Sequence, residues 1–216
     1  QEAAPRVRLG IERVYEPQVQ SLLEGKRLGL FTNQTGVDSK LRSSVDILRD
    51  RYVVSALFVP EHGLFGAVEA GKKFSSSEYK GIPVLSLYGS SRRPSQEMLE
   101  HIDTMVVDIQ DVGVRHYTYF SSLAYIMEAC AKYNKQVVVL DRPNPLGNKM
   151  QGPVLKPELA TFIGLYPIPL RHGLTIGEFA RYINKEEGIN CKLEVVPMQN
   201  YRAYMDWAAT KLPWVQ

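Results

Sequence analysis

A regular alternation of short apolar runs with helical segments constrains the fold of this chain more than any other feature. Near-continuous apolar runs, typical of strands buried on both faces, occur at residues 27–31, 52–59, 83–87, 105–109, 136–140 and 192–196. Helical periodicity occurs at residues 43–49, 95–102, 120–133 and 175–187. Ser43 or Ser44, Ser95 and Thr175 are suitable N-caps for three of these helices. This order predicts an α/β protein with a doubly wound, mostly parallel sheet and helices on both faces.

The segments outside this alternation set the expected domain limits. We expect residues 1–26 to be a lead-in and residues 27–210 to form the α/β domain. Within it, residues 153–169 contain four prolines and are expected to be irregular. Residues 211–216 lack a closing element, so we interpret them as the start of a linker to a second domain.

Composition excludes several classes of function. The 216 residues carry a formal net charge of only +3, with no basic run interleaved with aromatics, so a nucleic-acid partner is not expected. No apolar stretch approaches the roughly 20 residues of a membrane-spanning helix. Because the chain begins Gln1-Glu2-Ala3 without Met, we expect an exported protein whose leader has been removed. Oligomeric state and cysteine pairing stay open.

Five loops that follow predicted strands contain the reactive side chains. The carboxyl ends of parallel strands share one edge of the sheet, where ligands of open α/β sheets bind. The densest loop, residues 108–119, combines carboxylates, an amide, a guanidinium, an imidazole and phenols, which are costly to bury without partners. The candidate ligand-binding residues are Asn33, His62, Gln110, Arg115, Tyr117, Asp141, Arg142, Asn144, Arg171 and His172, and Tyr119 is a further aromatic that could contact a sugar ring.

Three carboxylates are candidates for catalysis. Glu61 follows a strand and a proline, so a partly dry carboxyl there could have a raised pKa and act as a general acid. Asp108 and Asp111 could form a carboxylate pair or bind a metal. Alternatively, Asp108 caps the following turn and pairs with Arg115.

The other candidates also have structural alternatives. Arg115, Arg142 and Arg171 could hold a substrate carboxylate bidentately or form internal ion pairs, Arg142 with Asp141 for example. His172 could line the cleft or stabilise the turn before a helix. No histidine spacing indicates a metal site, and no glycine-rich phosphate loop or Gly-x-Ser-x-Gly elbow is present, so we expect neither a metal nor a cofactor.

Five motifs occur in an order that resembles one known family. They are residues 29–37, Pro60-Glu61-His62-Gly63, residues 108–113, residues 141–145 and Arg171-His172-Gly173. Together they resemble the exo-acting β-N-acetylmuramidases, bacterial cell-wall glycosidases long classed as a domain of unknown function. The resemblance extends from about residue 28 to the C-terminus.

The resemblance implies a Rossmann-like domain with the active site, followed by a smaller auxiliary domain. It also implies release of terminal N-acetylmuramic acid from the non-reducing end of peptidoglycan fragments, with Glu61 as the catalytic glutamate. Our own hypothesis takes Glu61 as the acid and Asp108 or Asp111 as its partner. Such an enzyme would act in the periplasm or another exported location, free or lipid-anchored. The alternatives are a non-catalytic cell-wall sugar-binding domain and a metal-dependent hydrolase using Asp108, Asp111 and His62.

Overall fold

The computed structural model describes residues 3–60, 78–89, 92–115, 117–161 and 164–215. The strands are β1 (Arg27–Phe31), β2 (Val53–Val59), β3 (Glu78–Tyr79), β4 (Ile82–Ser86), β5 (Thr104–Val107), β6 (Gln136–Leu140), β7 (Gln151–Val154), β8 (Pro169–Arg171) and β9 (Leu193–Val196). The helices are α1 (Pro17–Leu23), α2 (Ser44–Arg49), α3 (Gln96–Leu99), α4 (Tyr119–Lys132), α5 (Ile176–Glu186) and α6 (Trp207–Thr210). Short 3-10 turns occur at Gly10–Arg13 and Pro157–Leu159.

The main sheet has the order β3-β4-β2-β1-β5-β6-β9. All neighbouring strands are parallel except β3 and β4, which are antiparallel. The predicted mostly parallel, doubly wound sheet is therefore confirmed, and the six predicted strands lie within about two residues of their expected limits. From β1 the chain first builds outward through β2 and β4, and then returns to place β5 on the other side of β1. The topological switch point of the sheet is thus at the carboxyl ends of the neighbouring strands β1 and β5.

Two apolar cores cover the two faces of the sheet because successive strand residues point in opposite directions. Met105 and Val107 of β5 join a core that includes α4 and α5. Val106, between them, joins the opposite core, which includes α1 and α2. Burial on both faces explains why the strands are apolar at nearly every position. No described helix is both long enough and apolar enough to cross a bilayer.

The N-terminal segment packs into the second core before β1 begins. Val7, Leu9, Ile11 and Val14 are each at most 2% exposed. Gly10 lies against the end of β6, where an added Cβ would come within 2.6 Å of the backbone nitrogen of Asp141. A side chain does not fit at this close approach, so the residues expected to be a lead-in contribute directly to the folded domain.

Most of the described part of residues 153–169 is irregular, as the prolines predicted, but its two ends belong to short strands. β7 and β8 form a two-stranded antiparallel sheet, with Pro153 in β7 and Pro169 in β8. Every β7 residue is exposed, so the segment has none of the alternating burial that identifies a strand in a sequence. The sequence missed the two short strands at the ends of this segment because prolines are tolerated in edge strands, which need fewer backbone donors.

The predicted helix starts are confirmed by side-chain caps. Ser43 accepts a hydrogen bond from the backbone of Val45, and Ser95 accepts one from Met98. Thr175 and Glu178 form a reciprocal capping box at the start of α5. Helix α3 ends at Leu99, three residues before the predicted end at residue 102.

Candidate active site

The loops that follow β1 and β5 flank the switch point, which is where open α/β sheets bind ligands. Asn33 lies in the first loop, and Asp108, Gln110 and Asp111 lie in the second. Arg115 and Tyr117 lie further along the second loop. The loop after β6, the end of β8 and the residue after it add the remaining described candidates. Glu61 and His62 lie outside the described residues. The proposed catalytic acid therefore rests on the sequence resemblance alone.

Asp108 and Arg142 form a buried ion pair across the loops after β5 and β6. The Asp108 side chain is fully buried and that of Arg142 is 3% exposed. The Nε of Arg142 donates to Oδ1 of Asp108 at 2.7 Å, and Nη2 donates to Oδ2 at 2.8 Å. Nη2 also donates to the carbonyl of Val37 at 2.7 Å, so the pair joins three strand-end loops.

This ion pair contradicts two pairs that the sequence suggested, Arg142 with Asp141 and Asp108 with Arg115. The side chain of Arg142 binds Asp108 and not Asp141. Only the backbone nitrogen of Arg142 donates to the Asp141 carboxylate, at 3.0 Å. Both oxygens of Asp108 are engaged by a guanidinium, which leaves it poorly suited to bind a metal. Within the described ranges, no group of three or more His, Cys, Asp and Glu side chains could hold a metal ion.

Arg115 does not pair with Asp108 as the sequence suggested. Its Nη1 donates to the carbonyls of Pro153 and Ile168, at 2.7 and 2.8 Å. Its backbone nitrogen donates to the carbonyl of Leu170 at 2.7 Å. Arg115 therefore ties the loop after β5 to the β7–β8 sheet. A local spacing argument misses this contact because the acceptors are backbone carbonyls far along the chain.

Arg171 is anchored in β8, beside His172. Nη2 donates to the carbonyl of Leu146 and Nη1 to Oε1 of Gln151 at 3.3 Å. Its Nε is buried and has no hydrogen-bond partner among the described residues. Arg171 is thus a guanidinium with a free buried donor.

Asp141 and Asn144 serve as anchors between elements. Oδ1 of Asp141 accepts from the backbone of Gly177 at 2.9 Å, and Oδ2 accepts from the Thr175 hydroxyl at 3.0 Å. Burial raises the pKa of Asp141 to about 6, although these hydrogen bonds act to lower it. Nδ2 of Asn144 donates to the carbonyl of Leu174 at 2.9 Å. Both residues therefore fix the start of α5 to the end of β6.

Asp111 and His172 form the second buried pair. Oδ2 of Asp111 accepts from the backbone of Gly113 at 2.8 Å and lies 3.2 Å from Nε2 of His172. Oδ1 is buried and has no partner among the described residues. Asp111 thus differs from Asp108 and Asp141, because half of its hydrogen-bonding capacity is unused.

A network of amides and hydroxyls is connected to this pair through Gln110. Nε2 of Gln110 donates to the carbonyls of Asp111 and Pro143, both at 2.8 Å, while its buried Oε1 has no partner in the described ranges. Oδ1 of Asn33 accepts from the backbone and hydroxyl of Thr35, and its Nδ2 donates to the phenol of Tyr119. Two unused acceptors, from Asp111 and Gln110, would be satisfied by a ligand that presents hydroxyl or amide donors.

Tyr117 and Tyr119 lie at the start of α4. Their rings meet edge to face, with centroids 4.9 Å apart. Burial raises the pKa of Tyr119, which therefore stays a neutral phenol. Its oxygen accepts from Nδ2 of Asn33, and its phenol is also hydrogen-bonded to Tyr117. The sequence analysis missed Thr35, whose hydroxyl donates to Asn33 at 2.6 Å and accepts from the backbone of Gln110 at 3.0 Å. Its place beside Asn33 in a strand-end loop was the signal available for it.

Fold and site together define a doubly wound α/β protein with a polar, carboxylate-containing site at the switch point of its sheet. The model of the exo-β-N-acetylmuramidase NamZ N-terminal family matches residues 28–216, and the chain belongs to this family. A curated relative, peptidoglycan β-N-acetylmuramidase NamZ of Bacillus subtilis (strain 168), is 49% identical over 216 residues, which cover 98% of this chain and 52% of the relative.

Two solved structures share the fold. Both are DUF1343 family proteins from Bacteroides fragilis NCTC 9343. One has a TM-score of 0.89 at 43% identity, and the match covers 97% of this chain and 54% of the solved chain. The other has a TM-score of 0.80 at 36% identity, and the match covers 94% of this chain and 55% of the solved chain. The chain spans about half the length of these relatives.

Proposed function

We propose that this chain carries the catalytic site of an exo-acting β-N-acetylmuramidase, a glycoside hydrolase that releases terminal N-acetylmuramic acid from the non-reducing end of peptidoglycan fragments. Family membership and the activity for which the Bacillus subtilis relative is named support this proposal. The structural observation that carries it is Asp111, a buried carboxylate at the switch point with one oxygen unused.

The chemistry needs an acid to protonate the leaving oxygen and a group that stabilises the positive charge at the anomeric carbon. Glu61 is the proposed acid. A 2-acetamido sugar can use its own carbonyl as the nucleophile, and a carboxylate then only orients and polarises that amide. Of the two aspartates proposed as partner, Asp111 has a free oxygen, whereas both oxygens of Asp108 bind Arg142. We therefore assign the partner role to Asp111.

The lactyl carboxylate of N-acetylmuramic acid requires a cation. Arg142 is committed to Asp108, and Nη1 of Arg115 already donates to two carbonyls. Arg171 has a buried Nε without a partner among the described residues, so we assign the lactyl group to it. Arg171→Lys, which removes the planar fork, should weaken binding of muramides more than of glucosaminides.

The substrate also suggests a location. Peptidoglycan lies outside the cytoplasmic membrane, so we propose an exported protein, either free in the periplasm or lipid-anchored. Cell fractionation with an antibody against the chain tests this location. Recovery in the cytoplasm alone would contradict it.

The first experiment measures turnover of a chromogenic β-N-acetylmuramide and of the matching β-N-acetylglucosaminide. It uses the longest natural form of the protein that contains these residues, with and without a chelator. We expect release from the muramide only, unaffected by chelation. If a folded protein binds N-acetylmuramic acid but turns over neither substrate, the result would favour a sugar-binding domain. Activity lost on chelation would favour a metal-dependent hydrolase.

Glu61→Gln should abolish turnover of the muramide and leave the fold intact, because an amide cannot protonate the leaving oxygen. The expected loss in kcat is roughly 100- to 10,000-fold, as for other general acids. Glu97→Gln, an exposed carboxylate in the first turn of α3, is the matched control and should retain full activity. Retained turnover in Glu61→Gln would remove Glu61 from the mechanism.

A further inference from the structure

The free oxygen of Asp111 has a definite orientation because its other oxygen is held from two sides. Oδ2 accepts from the backbone of Gly113 and contacts Nε2 of His172. These two contacts restrict rotation of the carboxylate, so Oδ1 stays directed away from them. A buried carboxylate oxygen without a partner is costly, which makes it a ready acceptor for a ligand N–H or O–H.

The tautomer of His172 follows from its second contact. The backbone N–H of Leu174 donates to Nδ1 of His172 at 3.1 Å, so Nδ1 is an acceptor and carries no hydrogen. A neutral ring must then carry its hydrogen on Nε2, where it donates to Asp111. The side chain is fully buried and its ring lies over Phe120, with centroids 4.4 Å apart.

The backbone that follows His172 supports this placement. Gly173 follows His172 with a φ of +71°, and an added Cβ there would lie 2.6 Å from the carbonyl oxygen of Asn148. Asn144 holds the carbonyl of Leu174, the next residue along the chain. The imidazole is therefore fixed by its ring contacts and by the chain that carries it.

We propose that His172 is a positioning residue, which holds Asp111 through a neutral Nε2–H so that Oδ1 accepts the N–H of the substrate's 2-acetamido group. This inference rests on the proposed glycosidase function. In that reaction the acetamido oxygen bonds to the anomeric carbon as the glycosidic C–O bond breaks, and Glu61 transfers its proton to the leaving oxygen. The cyclic cation that forms is stabilised by the hydrogen bond from its N–H to Asp111.

The second half of the reaction restores every group. Water gives a proton to the Glu61 carboxylate and bonds to the anomeric carbon, while the bond from the acetamido oxygen to that carbon breaks. The sugar is released with its acetamido group intact, and Glu61 is again protonated. Asp111 accepts the N–H throughout, and His172 makes no contact with the substrate.

Two substitutions of His172 separate positioning from packing. His172→Gln places an amide donor near the Nε2 position, whereas His172→Phe keeps a ring over Phe120 and has no donor. We expect His172→Phe to lower kcat roughly 10- to 100-fold with little change in KM, as for a misplaced catalytic group. His172→Gln should recover most of that loss. Equal activity of the two variants would overturn the proposal, and thermal unfolding of both provides the control for folding.

A double substitution tests whether His172 acts through Asp111. Asp111→Asn should lower kcat, and adding His172→Phe to it should lower kcat no further, because the group to be positioned is already changed. Losses that multiply in the double variant would show an independent role for His172 and overturn the proposal.

The nitrogen chemical shifts of the His172 ring provide a readout that does not depend on turnover. We expect a hydrogen on Nε2 and none on Nδ1. An inactive wild-type protein would remove the proposed function, and the ring shifts would still decide the geometry. A hydrogen on Nδ1 would overturn the His172–Asp111 arrangement in either case.

Discussion

Asp108 and Asp111 after β5 and Asp141 after β6 are buried aspartates, and each offsets the cost of burial differently. Asp108 uses a guanidinium, and Asp141 uses backbone N–H groups and a hydroxyl. Asp111 has an imidazole and a backbone N–H on one oxygen only. A fully partnered buried charge is stable but unavailable, whereas a half-partnered one has capacity left for a ligand. This difference separates the structural carboxylates from the proposed catalytic one.

Asp108→Asn should lower the free energy of unfolding by about 3–5 kcal/mol, because Arg142 would remain buried without its counter-charge. Urea unfolding followed by circular dichroism measures the loss. Asp103→Asn, at the exposed ion pair with Arg27, is the control and should cost far less since both groups are solvated. Equal losses in the two variants would contradict the importance of burial.

Asp141 should make stability depend on pH. Its pKa rises from 3.8 to about 6 in the folded protein. The folded state therefore binds the proton more tightly, and the stabilising effect of protonation is lost as pH rises from about 4 to 6. As pH falls through this window, the free energy of unfolding of the wild type should rise by on the order of 2–3 kcal/mol relative to that of Asp141→Asn. Urea unfolding at several pH values measures the difference between the two proteins.

The comparison with Asp141→Asn controls for the pH dependence that other carboxylates contribute. Hydrogen bonds from Arg27 hold the pKa of Asp103 below its usual range, and that effect is common to both proteins. It therefore cancels in the difference. A stability difference that does not change between these pH values would show that the pKa of Asp141 is not raised.

At the scale of secondary-structure elements, the first residues of helices were easier to predict than the short strands β7 and β8. A cap is a local feature, since a hydroxyl at the first position bonds a backbone N–H two or three residues later. Ser43, Ser95 and Thr175 could therefore be identified from the sequence. The β7–β8 sheet was missed because its strands are short, β7 is exposed along its whole length, and Arg115 ties the sheet to the domain through carbonyls of two distant segments. No local pattern encodes such a contact.

Thr175→Ala should lower the free energy of unfolding by about 1–2 kcal/mol, since α5 loses its cap and Asp141 loses a hydrogen bond. Thr175→Ser retains the hydroxyl and is the matched control. Thermal unfolding of the three proteins gives the comparison. A Thr175→Ala variant as stable as Thr175→Ser would show that the cap contributes little.

At the scale of the whole molecule, the order of strands brings the site together. β1 and β5 are adjacent although β2 and β4 lie between them in the sequence. The N-terminal segment completes the second core by packing against the end of β6. The domain is thus closed by contacts between residues that are far apart in the chain, and it is expected to unfold as a unit.

The two cysteines report on that global unfolding. Cys130 and Cys191 are free and buried, and burial raises their pKa values to about 12 and about 11. A thiol at such a pKa is almost never the reactive thiolate at neutral pH. We expect alkylation of both only when the domain unfolds, measured by mass spectrometry across a urea series. Asp108→Asn should react at lower urea than the wild type, and rapid labelling of the native protein would contradict the burial of these thiols.

The sequence by itself determined the class of fold, the limits of most strands, the helix caps and the loops that contain reactive groups. Each depends on periodicity or on side chains a few residues apart. Tertiary structure alone decided the strand order and the partners within the site. Asp108 and Arg142 are separated by 34 residues and Asp111 and His172 by 61. Partners at such separations are selected by how the strands are arranged, so the predicted Asp108–Arg115 pair was wrong although both residues were correctly placed in one loop.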